Sequence, residues 1–247
     1  MEKNMDGIMR CSRYSFGPNR LHYCGPDANK EFKELIEKDG NNFELSHLLK
    51  QFKTLFPYLR KIAEANGVKD VFDSRVVEAY WLGNRLLENI EKNILYRFLV
   101  DDLKVKNKLK SNEFHWLEEK IKQGAVPHHS FHVFNIWGQE GHNDLLSELN
   151  RMDECRISSG VVTALNGPEI IVSTEPLIYM AGKFALGGAT PKSLTRQLEA
   201  EYDIEQIKVG ETVSIHWSVP CEVITPKQAE ILRKYTLKNI AFANLNL

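Results

Sequence analysis

The sequence predicts an α+β protein: an all-α N-terminal part followed by a small OB-like β-barrel with a C-terminal helix. Three observations carry this. From about residue 28 to 123 the apolar residues recur at three- and four-residue steps, the period of a helix face. After residue 155 the pattern changes to short β-rich runs separated by turn residues. Near the end, Thr225-Pro226-Lys227-Gln228 combines a capping box with proline at the first helical position, which starts a last helix. The boundary is drawn at residues 1–152 and 153–247.

The elements follow in order. Residues 10–27, "RCSRYSFGPNRLHYCGPD", hold two turn signals, Gly17-Pro18-Asn19 and Gly25-Pro26-Asp27, and read as non-helical. Asp27 caps a short helix from Ala28. Leu45, Leu48, Leu49, Phe52, Leu55, Leu59 and Ile62 form one apolar stripe, which Pro57 divides into a kinked helix or two abutting ones. Asp73 or Ser74 opens the next helix, and Ser111 one that runs to Lys122. Residues 127–137, "PHHSFHVFNIW", are aromatic and β-branched and read as extended. A short helix from about Asn143 to Met152 leads into Cys155. "RISSGVVTAL", "IIVSTE", "PLIYMAG", "KFALG" and "ETVSIHWSV" are the strand candidates, with Asn166-Gly167 as a hairpin turn between the first two.

Composition narrows the function. Apolar residues make up 43% and charged residues 26% of the 247, with a formal net charge of −1. That is an ordinary balance for a globular protein and not the basic footprint of a nucleic-acid binder. No apolar run reaches membrane-spanning length, and the first residues lack a signal peptide's apolar core, so a cytoplasmic location without membrane contact is expected. Four cysteines do not make a disulfide scaffold. In a reducing compartment they are free, buried or metal-bound.

The chemistry-bearing residues fall into three groups. Cys155 begins the strand-rich part and His216 sits in its closing strand. A thiolate is a soft ligand and an imidazole a borderline one, so barrel closure would create a metal site there. A buried thiol and a hydrogen-bonded core histidine are the plainer fate of the same two residues. The N-terminal segment holds Cys11, His22 and Cys24, with Arg13 and Arg20 close by. The spacing is not a zinc knuckle. The two arginines favour thiolate over thiol, or would bind an anionic cofactor such as a phosphate or carboxylate. A loop packed over the helices with its cysteines inside is the alternative. Third, His128, His129 and His132 are three of eight histidines within five positions. On a strand, His128 and His132 share one face and His129 the other. They make half a metal site, with Cys11, His22 or Cys24 to complete it. No phosphate-cradling glycine loop and no G-x-S-x-G elbow is present, and whether the chain is an enzyme stays open.

The second part resembles the HypC-type chaperones of [NiFe]-hydrogenase maturation over residues 153 to 245. "ECRISSGVV" runs in step with that family's first strand and places Cys155 on its functional cysteine. "GETVSIHWSVPCEVITPKQA" follows its last strand and helix start, with His216 on its histidine. The resemblance implies a small OB-like barrel, an iron species carried through Cys155 with His216 beside it, and a hydrogenase large-subunit precursor or another maturation protein as partner. Two alternatives stand beside this reading. One is a metal-dependent enzyme in the helical part that makes or modifies an iron ligand. The other is a metal-free protein-binding module. The whole chain is also similar to an uncharacterised prokaryotic group that joins "CSRYSFGPN", "LHYCGP" and "HHSFHVFN" to this C-terminal part. That similarity implies only that the two parts belong together.

Overall fold

The structure is a computed structural model that describes residues 6–37, 42–136, 145–195 and 207–247. Nine helices precede the strands among the described residues: α1 Gly7–Arg20, α2 Asn29–Glu37, α3 Asn42–Lys50, α4 Leu55–Ala65, α5 Ser74–Trp81, α6 Lys92–Arg97, α7 Ser111–Lys122, α8 His129–Asn135 and α9 Leu145–Cys155. Seven strands follow: β1 Ser158–Asn166, β2 Glu169–Thr174, β3 Leu177–Met180, β4 Lys183–Leu186, β5 Thr190–Thr195, β6 Thr212–His216 and β7 Val219–Ile224. The final helix, α10, spans Pro226–Ala243. No helix of the described residues is long and apolar enough to cross a membrane.

Most helix starts obey their local signals. The Asp73 side chain accepts from Arg75 N at 2.9 Å and caps α5. Thr225 Oγ1 and Gln228 form the expected reciprocal box at α10. The apolar stripe around Pro57 is two helices, with the break at 51–54 and the proline in the first turn of α4, where its missing N–H is harmless. α7 does start at Ser111, but its box is made by the Lys110 N–H donating to Glu113 Oε2 at 2.7 Å. The helix read from about Asn143 is described from Leu145 and runs on to Cys155 itself. Residues 143 and 144 lie outside the described residues.

The strands form one antiparallel five-stranded sheet, ordered β5-β2-β1-β6-β7, and a separate β3-β4 hairpin. This corrects the expected barrel: the sheet is not closed. A barrel needs a continuous ladder around its circumference. Here, among the described residues, the edges β5 and β7 share no ladder and are bridged by the Thr195 N–H, which donates to the Ser218 carbonyl at 3.3 Å just before β7. The β3-β4 hairpin lies elsewhere, and its Leu177 and Phe184 pack with Met152, Val133, Phe134 and Ile240. Apolar surface on α8, α9 and α10 has drawn that hairpin out of the sheet. Asn166 and Glu169 do face each other across the expected β1-β2 turn, with Gly167 at φ 59°. β5 and β7 are strands that the sequence pattern did not reveal. "TPKSLT" is polar, and "VPCEVI" is buried on both faces and does not alternate.

Two further expectations fail. Residues 10–20 are helical, because Asp6 caps α1 through the Met9 N–H and the Gly17-Pro18 pair sits inside the helix rather than ending it. Residues 129–135 are a helix, α8, capped by the His128 ring, which accepts from Ser130 N at 3.1 Å.

The largest apolar cluster joins residues on both sides of position 152. Cys221, Ile224, Leu232, Tyr235 and Phe242 pack with Tyr14, Leu59, Tyr80, Trp81 and Phe131. A buried polar network pins α1 to β6 and β7. Arg10 Nε donates to Glu222 Oε1 at 2.8 Å and its Nη1 to Glu78 Oε2 at 3.1 Å. The Tyr14 hydroxyl lies 2.7 Å from Glu222 Oε1 and 2.8 Å from Ser214 Oγ.

Candidate metal centre

Where α1, α4, α5, α8, α9 and β6 meet, they line a partly open cavity of about 180 Å³, together with Tyr23, Cys24 and Trp217. Its walls are mainly aromatic and imidazole rings, with the thiols of Cys24 and Cys155. At one end, His129, Cys155 and His216 each offer a ligand atom, and the three atoms lie within 4.8 Å of one another.

Each side chain reaches this point for a local reason. Cys155 is the last residue of α9, immediately before the chain turns into β1. His216 is the last residue of β6 and is 1% exposed. Its Nδ1 lies 2.6 Å from the Tyr14 carbonyl oxygen. A carbonyl only accepts, so Nδ1 carries the proton and Nε2 keeps the lone pair. That carbonyl is available because Pro18, four residues on, has no N–H to close the helical bond. Gly17 makes the approach possible: a Cβ there would stand 2.7 Å from the His216 carbonyl oxygen. His216 Nε2 is buried and has no hydrogen-bond partner. Native structures seldom bury such an atom unpaired. His128 Nε2 is another buried and unpaired ring nitrogen, but only His216 has a thiol and a second imidazole gathered beside it.

His129 is held on both sides. Its Nε2 donates to the Cys155 carbonyl at 2.8 Å, and its Nδ1 accepts from the Tyr80 hydroxyl at 3.1 Å. To ligate an ion it would have to give up one of these two bonds. Its ring centroid lies 4.6 Å from Trp81 and 5.2 Å from His216.

Electrostatically the cluster is neutral. Burial pushes the Cys155 thiol up to about 12, with Cys24 adding to the effect and the Trp217 indole opposing it. Burial brings His216 down to about 4, against the pull of the Tyr14 carbonyl on Nδ1 and of the Cys155 carbonyl, which would accept from a protonated Nε2 but makes no bond to it while that nitrogen is bare. Burial and then the neighbouring His216 hold His129 well below the ordinary histidine range. A thiolate–imidazolium nucleophile is therefore disfavoured here. A cation that binds the sulfur supplies the charge the burial denies it. One thiolate and two imidazoles suit borderline divalent ions, iron and zinc among them.

The residues singled out from sequence separate into three sets. Cys155, His216 and His129 converge. Cys24 and His132 line the same cavity, and His132 Nδ1 lies 3.3 Å from the Tyr58 hydroxyl. The rest are elsewhere. Cys11 is 0% exposed in the helical core, and burial raises its thiol to about 12. His22 is exposed and faces Asn29 and Asp27. His128 stacks on Tyr235 at 5.0 Å, and its Nδ1 is spent on Ser130. Arg20 reaches the Trp217 carbonyl at 3.4 Å from an exposed position. Arg13 is half-buried near Cys221, whose thiol it holds down against burial.

The face assignment in the histidine run is corrected by its helicity. At a 3.6-residue period His129 and His132 share a face, and His128 caps the helix from outside. Tyr14, Tyr80, Trp81 and Trp217 are site residues that motif reading missed. The signal for Tyr14 was present in Pro18, four positions later, but it has meaning only inside a helix.

A family model described as a family of unknown function (DUF6390) matches residues 3–247. No curated protein matches the chain, and no solved structure does.

Proposed function

The chain belongs to the DUF6390 family, a family of unknown function, and we propose that it is an accessory protein that holds a single metal ion at Cys155, His216 and His129 and passes it to a partner. One observation carries the reading: His216, whose buried Nε2 lacks a hydrogen-bond partner, shares a 4.8 Å cluster with Cys155 and His129. Iron is the first choice of ion. The donor set suits it, and the resemblance of residues 153–245 to HypC-type chaperones supplies the same two residues. That resemblance also names the destination, a hydrogenase large-subunit precursor or another maturation protein. The open sheet departs from the barrel that goes with it, so the destination rests on residues 155 and 216 and their flanks.

The protein's own residues have distinct tasks. Tyr14 and Pro18 fix the tautomer that presents His216 Nε2. Cys155 gives up its proton on binding. The aromatic wall excludes water from the loaded site. Anaerobically purified protein loaded with iron(II) is expected to retain about one ion per chain. Cys155→Ala and His216→Ala should each abolish retention, and His129→Ala should weaken it. Stoichiometric iron in Cys155→Ala would overturn the reading.

A second reading is favoured by the cavity itself. Its volume of about 180 Å³ adjoins the three ligands, so a bound ion keeps an open position beside His132 and Cys24. A metal-dependent enzyme that makes or modifies a small iron ligand would use that space. Loss of turnover in His132→Ala with full metal retention would favour it over a carrier.

A further inference from the structure

Trp217 and Ser218 are the two residues between β6 and β7, and both have positive φ, 52° and 57°. Two consecutive left-handed residues match a type I′ hairpin, where Asn-Gly is the usual pair. A bulky side chain is disfavoured there, and such outliers concentrate at functional sites. The surroundings hold the turn in place from one side. The Trp217 N–H donates to the Glu154 carbonyl at 2.9 Å, and Ser218 Oγ donates to Glu154 Oε2 at 2.8 Å. Glu154 is the neighbour of Cys155, so the clamp fixes the indole relative to that sulfur.

The indole is 7% exposed and lines the cavity. Tyr23 stacks on its outer side, with centroids 4.3 Å apart and planes at 17°. Its Nε1–H makes no hydrogen bond of good geometry, but it stands close enough to the Cys155 sulfur to hold that thiol down against burial. A neutral thiol is a weak acceptor, whereas a metal-bound thiolate is a strong one. A buried donor left with only a weak acceptor is unfavourable, so this one is matched to a state in which the sulfur carries more charge.

We propose that Trp217 is a positioning residue: the strained β6-β7 turn holds its indole N–H for the metal-bound sulfur of Cys155. This rests on the metal reading above. The contact tightens into a full hydrogen bond on loading, draws charge from the sulfur and strengthens ion retention. Tyr23 keeps the ring flat over the site.

Cobalt(II) is the probe, because its thiolate charge-transfer band reports the electron density on sulfur. In Trp217→Phe the ring still stacks on Tyr23 but the donor is gone. The band is expected to move to lower energy, and affinity to fall about ten-fold, the scale of a lost hydrogen bond to a charged group. Tyr23→Ala keeps the donor and should leave the band energy in place. An unshifted band and unchanged affinity in Trp217→Phe, with the wild-type protein binding cobalt normally, overturn the inference and leave the metal reading standing. The same shift in Tyr23→Ala also overturns it, since packing alone would then explain the effect. Wild-type protein that binds no cobalt removes both. If Trp217→Phe does not fold, the Trp217 indole 1H–15N resonance of the wild type is recorded with and without zinc(II). A downfield proton shift on loading supports the bond, and no shift overturns it.

Discussion

The Tyr14 carbonyl oxygen lies 2.6 Å from His216 Nδ1, across 202 residues of sequence. In an uninterrupted helix it would accept from the N–H four residues later, and there the chain has Pro18. One residue thus serves the centre twice. The Tyr14 backbone sets the protonation of His216, and its hydroxyl anchors α1 to Glu222 at 2.7 Å. α1 is therefore a wall of the site as well as a packing element, and its proline is a device for lending a carbonyl to an imidazole.

Pro18→Ala should uncouple stability from binding. The new N–H competes for the Tyr14 carbonyl and lets His216 sample the other tautomer. A proline in a helix interior costs about 3 kcal/mol relative to alanine, so the variant should fold at least as stably as the parent. Cobalt affinity should fall about ten-fold, the scale of one hydrogen bond that orients a ligand. Side-chain 15N spectra of His216 provide the check: a single Nδ1–H pattern in the parent and a mixture in the variant.

Gly17→Ala tests the close approach in the opposite direction. By helix propensity alone it gains about 1 kcal/mol. The added Cβ would sit 2.7 Å from the His216 carbonyl oxygen and 3.1 Å from the Trp217 Cβ. Backbone cannot swing aside as a side chain can, so α1 and β6 must separate. A net loss of about 1–3 kcal/mol is expected, the range for overpacked sites, read as a lower denaturant midpoint. A midpoint at or above the parent's would show that the gap between α1 and β6 tolerates a methyl group.

Ion binding should strengthen with pH in a defined way. Cys155 is a thiol throughout the neutral range, because burial raises it to about 12. His216 is already neutral there, being lowered to about 4. Loading therefore releases one proton, from sulfur. Apparent affinity for cobalt(II) should rise about ten-fold per pH unit between pH 6 and 8. Titrations in two buffers of different ionisation enthalpy count the proton directly. A pH-independent affinity would mean the sulfur is not a ligand.

How much of this was legible in the sequence depends on whether a residue's meaning is local. Asp73, Thr225 and Asn166-Gly167 were read correctly because caps and tight turns are decided within four residues. The helix-then-strand order was legible because periodicity is a local property too. The closed barrel was not, because whether β5 meets β7 is settled by where the β3-β4 hairpin finds apolar surface. Gly17-Pro18 was read as a turn because its reason for being in a helix lies on β6. In the histidine run the period was misread. "HHSFHVFN" has β propensity, but the ring of His128 caps a helix, and that put His129 rather than His128 at the centre. The pairing of Cys155 with His216 came from residue types and the family resemblance. Its third member needed coordinates.

The buried histidines should make the fold acid-labile well above the range in which carboxylates titrate. Burial lowers His128 to about 3 and both His132 and His216 to about 4. In the unfolded chain each has an ordinary value near 6.5. Between about pH 6.5 and 4 the unfolded state therefore binds more protons, and stability falls as pH falls. Each such histidine contributes about 1.4 kcal/mol per pH unit in that window and nothing further above it. The denaturant midpoint should be flat from pH 8 to 7 and drop steeply by pH 5. Metal should move the drop to lower pH, because an ion on His216 resists its protonation. His128 is the internal control, since it stacks on Tyr235 away from the cluster. His128→Gln should remove about one proton from the slope in both metal-free and loaded protein. His216→Gln should remove about one proton without metal and should show no response to metal at all, because that variant no longer holds the ion. Guanidinium titrations at four pH values, with and without cobalt(II), would separate the two, and an equal metal response in both variants would place the ion away from His216.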